Sequence, residues 1–512
     1  MAKSTRETER KYEAPSADDT SWLPDLTGVD GIGAVVEQGV EELDAVYFDT
    51  DDLRLAAGSA TLRRRSGGSD AGWHLKLPGS GDTREEIQTP PDSELPDELR
   101  ELALSRTRGA DLRPIVRVRS RRDTRLLLDG TGTTVAELTV DAVRADSPLP
   151  GTARAEWAEM EVELAEGADP AVLDTVDKAL RREGIERAPH PSKLAKALEE
   201  TAAGAPRLPD ARAERVRAGT AGEHVLAYVD QQVHALVTLD PAVRRGLPDS
   251  VHRMRVACRR LRSVLRSQRP VLDRRVTDPV RAELKWLGGE LGGERDHEVL
   301  LERLDAGIGR LPRELVLGPV RARLRVWHVT DSSAARQRTL DALDSPRYLA
   351  LLDSLAALTE KPPLRDKATR APGKVMAKAV TKEYDRLAAR VVHALELPPG
   401  TETDRALHEA RKAAKRTRYA TEAARSSLGK PAKRFGKRIK AVQKVLGDHQ
   451  DGVVARDTLR RLALAAHAAG EPGFTWGLLH GREQVVARER EQELPGVWAD
   501  ASEPRLRKAL KR

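Results

Sequence analysis

Hydrophobic and polar positions follow two different periods along the chain. Up to about residue 198 the apolar positions alternate with charged ones in short runs. Leu75 and Leu77 alternate with His74 and Lys76, and Val116 and Val118 with Arg117, Arg119 and Arg121. Leu138 and Val140 alternate with Glu137 and Asp141, and Met160, Val162 and Leu164 with Glu159, Glu161 and Glu163. Side chains alternate across a strand, so these runs predict β-strands with one apolar and one charged face. Gly/Pro/Asp segments such as SGGSDAG, PGSGD and DGTGTT separate them as turns. From about residue 217 the period lengthens to that of helices rich in Ala, Leu, Arg and Glu. AAGAPRLPDAR (202–212) reads as a linker, and KPPLRDKATRAPGK (361–374) divides the helical region. The expected organisation is therefore a β-rich domain (1–200), a linker (201–216) and a helical domain (217–512) with bundles at 217–360 and 375–512.

A single pattern occurs twice within the helical region. VHRMRVACRRLR (251–262) and LHEARKAAKRTR (407–418) each place basic residues three, seven and ten positions after a histidine. The first row is His252, Arg255, Arg259 and Arg262; the second is His408, Arg411, Lys415 and Arg418. About forty residues further on, LGGERDHEV (291–299) is matched by LGDHQDGVV (446–454). At about 100° per residue, Arg255, Arg259, Arg262 and Arg266 fall within roughly 80° of His252. Met254, Ala257, Cys258, Leu261, Val264 and Leu265 fall opposite. Like charges three and four residues apart destabilise an isolated helix by a few tenths of a kcal/mol each. A solvated face mixes both signs, whereas this one almost lacks acids, so the row points to an anionic partner.

Charge distribution agrees. Residues 1–200 hold 27 Lys+Arg against 41 Asp+Glu, and residues 201–512 hold 61 against 39. Such asymmetry suggests separate modules, the second directed at a polyanion. Residues 405–444 alone carry 14 basic and two acidic residues, Lys412 among them. Lys433, Lys437, Lys440 and Lys444 form another narrow stripe, which the first repeat lacks. Cys258 is the only cysteine, on an apolar stripe, which excludes an internal disulfide and suits a reducing cytoplasm. The charged opening MAKSTRETERKYE does not read as a signal peptide, and no apolar run is long enough for a membrane span. Aromatics at 3% leave few stacking platforms for a nucleic acid, which makes one an unlikely partner.

In the β-rich region, Glu7, Glu9 and Lys11 share a face, as do Arg63 and Arg65. A polar outer face is the ordinary reading of any one such strand. With the charged side turned inward in a barrel, cations could hold phosphate oxygens while carboxylates held a hard divalent ion. ETERK (7–11) fits the ExExK signature of the CYTH family. YFDT (47–50), ATLRRR (60–65), WHLKLP (73–78), TREE (83–86), EMEVEL (159–164) and PSK (191–193) follow in family order, so most of residues 5–200 resembles that family. The resemblance implies an eight-stranded antiparallel tunnel that takes triphosphate substrates with Mg²⁺ or Mn²⁺. It implies phosphate contacts from Lys11, Arg63, Arg65, Lys76, Arg119 and Lys193, with Arg117 and Arg122 as alternatives for the role of Arg119. It implies metal ligation by Glu7, Glu9, Glu159 and Glu161, with Asp141 and Glu163 as further candidates, and catalysis centred on Lys11, Glu7 and Glu9.

The duplicated histidine helix and its LGxxRD partner resemble the CHAD family over about 217–512. This implies two pseudo-symmetric helical bundles around a basic surface that binds inorganic polyphosphate. The residues concerned are His252, Arg255, Arg259, Arg262, Arg266, His408, Arg411, Lys412, Lys415, Arg418, Lys433, Lys437, Lys440 and Lys444. Asp296 is expected to orient Arg295, which Gln450 replaces in the second copy. The chain thus reads as an α+β multidomain protein, cytoplasmic and associated with polyphosphate granules. Its expected activity is a metal-dependent triphosphatase coupled to polyphosphate capture. The alternatives are a non-catalytic polyphosphate anchor, a nucleic-acid binder and a cyclase.

Overall fold

The computed structural model describes residues 2–68, 70–147, 154–201 and 217–511; the expected linker beyond Thr201 lies outside them, as do the side chains of Glu294 and Arg295. The chain divides into two compact units, Met1–Asp210 and Ala211–Arg512.

In the first unit, eight strands among the described residues close into an antiparallel barrel. They are β1 (Lys3–Glu13), β2 (Ala34–Asp49), β3 (Thr61–Ser66), β4 (Gly72–Pro78), β5 (Thr83–Thr89), β6 (Arg113–Leu128), β7 (Thr134–Asp146) and β8 (Ala155–Leu164), in the order β1-β5-β4-β3-β2-β6-β7-β8. Among the described residues four helices accompany it: α1 (Arg54–Ala57), α2 (Asp97–Thr107), α3 (Ala171–Arg182) and α4 (Lys193–Glu200). The usual polarity is reversed. Tyr12, Leu138, Val140, Met160 and Val162 point outward and are covered by Val172, Leu173, Val176 and Leu180 of α3. Leu62, Trp73, Leu75 and Ile87 likewise pack outward against Leu55 of α1 and Leu99 and Leu102 of α2. The helices thus bury the apolar faces, and the charged faces line the lumen.

One end of the lumen is apolar. Val116, Val118, Val143, Ala145 and Ala155 surround Leu194, Ala197 and Leu198, so α4 plugs that end. Ser192 caps this helix by accepting a hydrogen bond from the Ala195 N–H at 3.1 Å, an arrangement that costs about 1 kcal/mol to lose. Proline, capping serine and lysine in PSK therefore set where the plug begins, and Lys193 is its first residue.

The second unit is helical: α5 (Ala221–Arg244), α6 (Ser250–Ser267), α7 (Arg274–Glu290), α8 (Gly292–Gly309), α9 (Val320–Asp344), α10 (Pro346–Glu360), α11 (Pro372–Glu396), α12 (Thr401–Ala423), α13 (Arg425–Ala468), α14 (Phe474–Ser502) and α15 (Pro504–Leu510). Near its start α13 is broken by Gly429, whose φ of 57° is left-handed, two residues before Pro431. Helices α5, α6 and α7 pack in succession, as α11, α12 and α13 do, and α6 packs on α12. The two halves share their interior. One core joins Met254, Leu261 and Leu284 to Leu387, Phe435 and Ile439. A second joins α8 and α9 to α13 and α14 through Leu304, Leu324, Leu459 and Trp476. Cys258 is buried in the first core, and burial pushes its thiol up to about 12, so it is an inert core residue. Among the described residues no helix is long and apolar enough to cross a membrane.

Candidate functional site

The tunnel is built by alternation. Glu7, Glu9 and Lys11 project inward from β1, Arg63 and Arg65 from β3, Lys76 from β4, Arg84 and Glu86 from β5, Arg122 from β6, and Glu161 and Glu163 from β8, with Lys193 entering from α4. The free space left among these side chains is ≈ 80 Å³, because ion pairs fill it.

Two groups of carboxylates result. Lys193 lies 3.0 Å from Asp141, 2.6 Å from Glu159 and 2.7 Å from Glu161. Burial alone would discharge this lysine, but the three carboxylates hold its ammonium protonated above the ordinary value. Arg122 adds a two-pronged contact to Asp141, at 2.9 and 2.8 Å, and reaches Glu161 at 3.3 Å; Lys11 also bonds Glu161. Asp141, Glu159 and Glu161, all expected as metal ligands, are thus paired with cations, as Glu7 is with Lys76.

Glu7, Glu9 and Glu163 form the other group, with one oxygen from each within 4.8 Å of the others. Burial pushes the Glu7 carboxyl up to about 8 and that of Glu163 up to about 7, while Glu9 is kept below its ordinary value because Lys11 and Lys76 outweigh its burial. Three convergent hard oxygen donors, two of them driven towards the neutral form by desolvation, fit a divalent cation, which would stabilise their charged forms.

The cationic side is equally constrained. Lys76 bonds Glu7 at 2.6 Å. Glu86 is held well below the carboxylate range because Lys76, His74 and Arg63 outweigh its burial, and His74 contacts it at 2.9 Å. Arg65 bonds Asp70. The Nε groups of Arg63 and Arg65 are buried without a hydrogen-bond partner among the described residues. They are buried donors left without a partner on side chains that line the lumen.

Arg119 does not join them. Arg117, Arg119 and Arg121 face outward and are exposed, with Arg119 3.3 Å from Asp146 and 3.7 Å from Asp44. The inward face of β6 at that level is Val116 and Val118, which pack on the apolar plug, and Arg122 enters the tunnel instead. Sequence reasoning also missed Arg84 and Glu86, whose spacing by two in TREE was the available signal.

In the helical unit, cations of both repeats converge. Lys415 is brought down to about 7, first by burial and then by Arg411 of its own helix and Arg259 and Arg255 of α6. Arg255 is 3.0 Å from Asp296, and Arg411 is 3.0 Å from Asp451. The acids of the two matched segments therefore hold the first arginines of the two rows; the expected contact of Asp296 with Arg295 falls on a side chain outside the described residues. His408 Nδ1 lies 2.6 Å from Gln450 Oε1, and His252 is half-buried. Lys412 pairs with Glu409 at 2.8 Å, and Arg418 stacks over the Tyr419 ring at 4.6 Å. The Nε groups of Arg259, Arg411 and Arg418 are buried without a hydrogen-bond partner among the described residues. Arg262 and Arg266 are both depressed by burial and by neighbouring arginines.

Arg266 also lines a groove of ≈ 480 Å³ that the sequence reading missed. Its other wall is a row on α11, Lys374, Lys378, Lys382 and Arg386, spaced by four. Lys433, Lys437, Lys440 and Lys444 are exposed on α13, facing away from Phe435, Ile439 and Val442, and make no ion pair among the described residues.

Together these features define a class: an inward-charged antiparallel tunnel joined to a duplicated helical domain with a cationic surface. Models of the CYTH domain and the CHAD domain match residues 5–198 and 227–460. Uncharacterized protein MT2285 of Mycobacterium tuberculosis (strain CDC 1551 / Oshkosh) is 35% identical over 505 residues, covering 95% of this chain and 94% of that protein. The chain belongs to the family of proteins that carry a CYTH domain followed by a CHAD domain. Among solved structures, PptA from Streptomyces chartreusis is similar to 55% of this chain over 99% of its own length, with 24% identity and a TM-score of 0.47. The CHAD domain from the plant Ricinus communis is similar to 56% over 93% of its length, with 25% identity and a TM-score of 0.45.

Proposed function

We propose that this protein hydrolyses a small triphosphate, inorganic triphosphate first, in the CYTH tunnel and captures inorganic polyphosphate on the CHAD surface. The observation that carries the first half is the meeting of Glu7, Glu9 and Glu163 beside a ring of buried cations. These three carboxylates would hold Mg²⁺ or Mn²⁺, which supplies Lewis-acid neutralisation of phosphate charge. Arg63 and Arg65 offer unsatisfied N–H donors to phosphate oxygens, and Lys11, Lys76 and Arg122 complete a positive wall. Cleavage of a phosphoanhydride by water leaves charge on both products, and fixed cations in a water-poor lumen stabilise it without reorganising. Lys193 positions rather than reacts in this scheme, because three carboxylates already occupy it.

Polyphosphate capture rests on the excess of cations where α6 meets α12, and the α11 groove extends that surface. Such rows neutralise a chain that carries about one charge per phosphate, with affinity that falls as salt rises. The test is phosphate release from inorganic triphosphate with Mg²⁺ or Mn²⁺, comparing the native chain with Glu7→Gln/Glu9→Gln. Metal-dependent release lost in the variant supports the reading. Tight triphosphate binding with no release under either metal would instead make the tunnel a binding site.

A further inference from the structure

The LGDHQD segment contributes more than Gln450 and Asp451. The His449 side chain, on α13, is 2% exposed, and its Nε2 lies 3.3 Å from Asp404 Oδ1 of α12 and 3.1 Å from Glu491 Oε1 of α14. Ligand atoms of the three residues all lie within 4.8 Å of one another. Its Nδ1 has no hydrogen-bond partner among the described residues, so the two carboxylates in front of Nε2 set the direction of the ring. Asp404 is fixed from behind: Arg456 Nη2 donates to Oδ2 at 3.1 Å, which leaves Oδ1 turned to the imidazole. Glu491 has no ion-pair partner but His449 among the described residues. Asp404 also lines a cleft of ≈ 660 Å³ with His408, Arg456, Asp457 and His480, so one of the three residues borders open space.

We propose that Asp404, His449 and Glu491 form a binding site for one divalent transition-metal ion, of the kind that accepts mixed nitrogen and oxygen donors, such as Zn²⁺. Donors about 2.1 Å from a common ion, in tetrahedral or octahedral array, stand roughly 3.0–3.4 Å apart, and both measured separations from Nε2 fall in that range. An imidazole among the donors favours the transition series over Ca²⁺ or Mg²⁺, which prefer all-oxygen shells. Arg456 supplies the outer contact that orients a ligating carboxylate. The site ties α12, which carries His408, Arg411 and Lys415, to α13 and α14. It belongs to the second half alone, because Glu294 stands in the first LGGERD segment where His449 stands in LGDHQD.

The test uses the full chain carrying Glu7→Gln/Glu9→Gln, which removes two carboxylates of the tunnel cluster. Co²⁺ is titrated by its visible absorption and then displaced with Zn²⁺, and far-ultraviolet circular dichroism monitors the fold. The expected result is one saturable site, lost on adding His449→Asn or the near-isosteric Glu491→Gln, and weakened about 10–100-fold by Arg456→Gln. Absence of saturable Co²⁺ binding in the parent, or unchanged affinity in His449→Asn and Glu491→Gln alike, would overturn the assignment and leave His449 as an ion-pairing clamp.

Discussion

The sharpest consequence of the convergent surface concerns Lys415. Burial and the nearby guanidinium groups of Arg411, Arg259 and Arg255 bring its ammonium from 10.5 down to about 7. A polyphosphate chain laid across these arginines cancels their field and returns Lys415 towards its ordinary value, so binding takes up a proton. Between the free and bound values the affinity should fall about tenfold per pH unit, which is about 1.4 kcal/mol. Within the helical unit a window from pH 7.5 to 8.5 isolates this group, since His408 is depressed below its ordinary 6.5 by burial and by Lys412 and Arg411, and Cys258 titrates near 12; Glu7 and Glu163 of the tunnel are brought up to about 8 and about 7, so the measurement is made in a Glu7→Gln/Glu163→Gln background. Isothermal titration of long-chain polyphosphate in buffers of different ionisation enthalpy reads both the affinity and the proton. Lys415→Arg should flatten the pH dependence while keeping tight binding, and Lys415→Met should flatten it with weaker binding. Folding stability carries the opposite sign from a salt bridge. The unfolded lysine binds its proton up to about 10.5 and the folded one only to about 7, so stability rises with pH across that window. An affinity that stays constant from pH 7.5 to 8.5, or a Lys415→Met chain with the native slope, would refute the convergence of the two rows.

Three further outcomes are expected. Lys193→Met leaves Asp141, Glu159 and Glu161 without their shared cation; because Arg122 and Lys11 still serve two of them, the loss should sit near the lower end of the roughly 3–5 kcal/mol typical of a broken buried pair. Denaturant unfolding measures it, and a change below about 1 kcal/mol would show the tunnel is wetter than its burial suggests. Arg255→Ala/Arg259→Ala should weaken polyphosphate binding and reduce its dependence on salt by roughly two counterions while triphosphate hydrolysis survives; unchanged affinity would sink the argument for the α6 row. Lys378→Ala/Lys382→Ala, on the α11 wall, should weaken binding of long chains more than of short ones if the surface extends through that groove, and equal effects on both would confine the site to α6 and α12.

What was legible in the sequence was which residues share a face; what was not was which face turns inward. Alternation grouped Arg63 with Arg65 and Glu7 with Glu9, and both pairs face the lumen. The same rule grouped Arg117, Arg119 and Arg121, yet these face solvent. The difference is tertiary. Where β6 passes the plug, Leu194 and Leu198 of a helix far along the chain demand valine inside. Further along β6 the lumen is charged, and Arg122 supplies the cation there. Arg84 and Glu86 were hidden because TREE lacks apolar residues to betray a strand, and of the six carboxylates expected at the metal, Asp141, Glu159 and Glu161 gather on Lys193 while Glu7 pairs with Lys76. Helical periodicity was more informative, since a stripe's neighbours are fixed by the helix itself, and the α11 row at spacing four was open to the same reasoning.

The repeat also explains why its two segments travel together. An arginine row facing arginine and lysine rows repels itself, and each copy answers with one acid placed about forty residues downstream: Asp296 on Arg255, Asp451 on Arg411. One carboxylate per row orients the first guanidinium without neutralising the rest, as the depressed Lys415 and the unsatisfied Nε of Arg259, Arg411 and Arg418 show. Adding acids would stabilise the fold and abolish the excess charge; removing the two would leave the leading arginines free to swing away. The element that recurs is therefore the pairing of a cation row with a single restraining acid. Around that pairing the sequences of the halves differ, with Gln450 on His408 and His449 between two carboxylates in the second copy, where the first has Arg295 and Glu294.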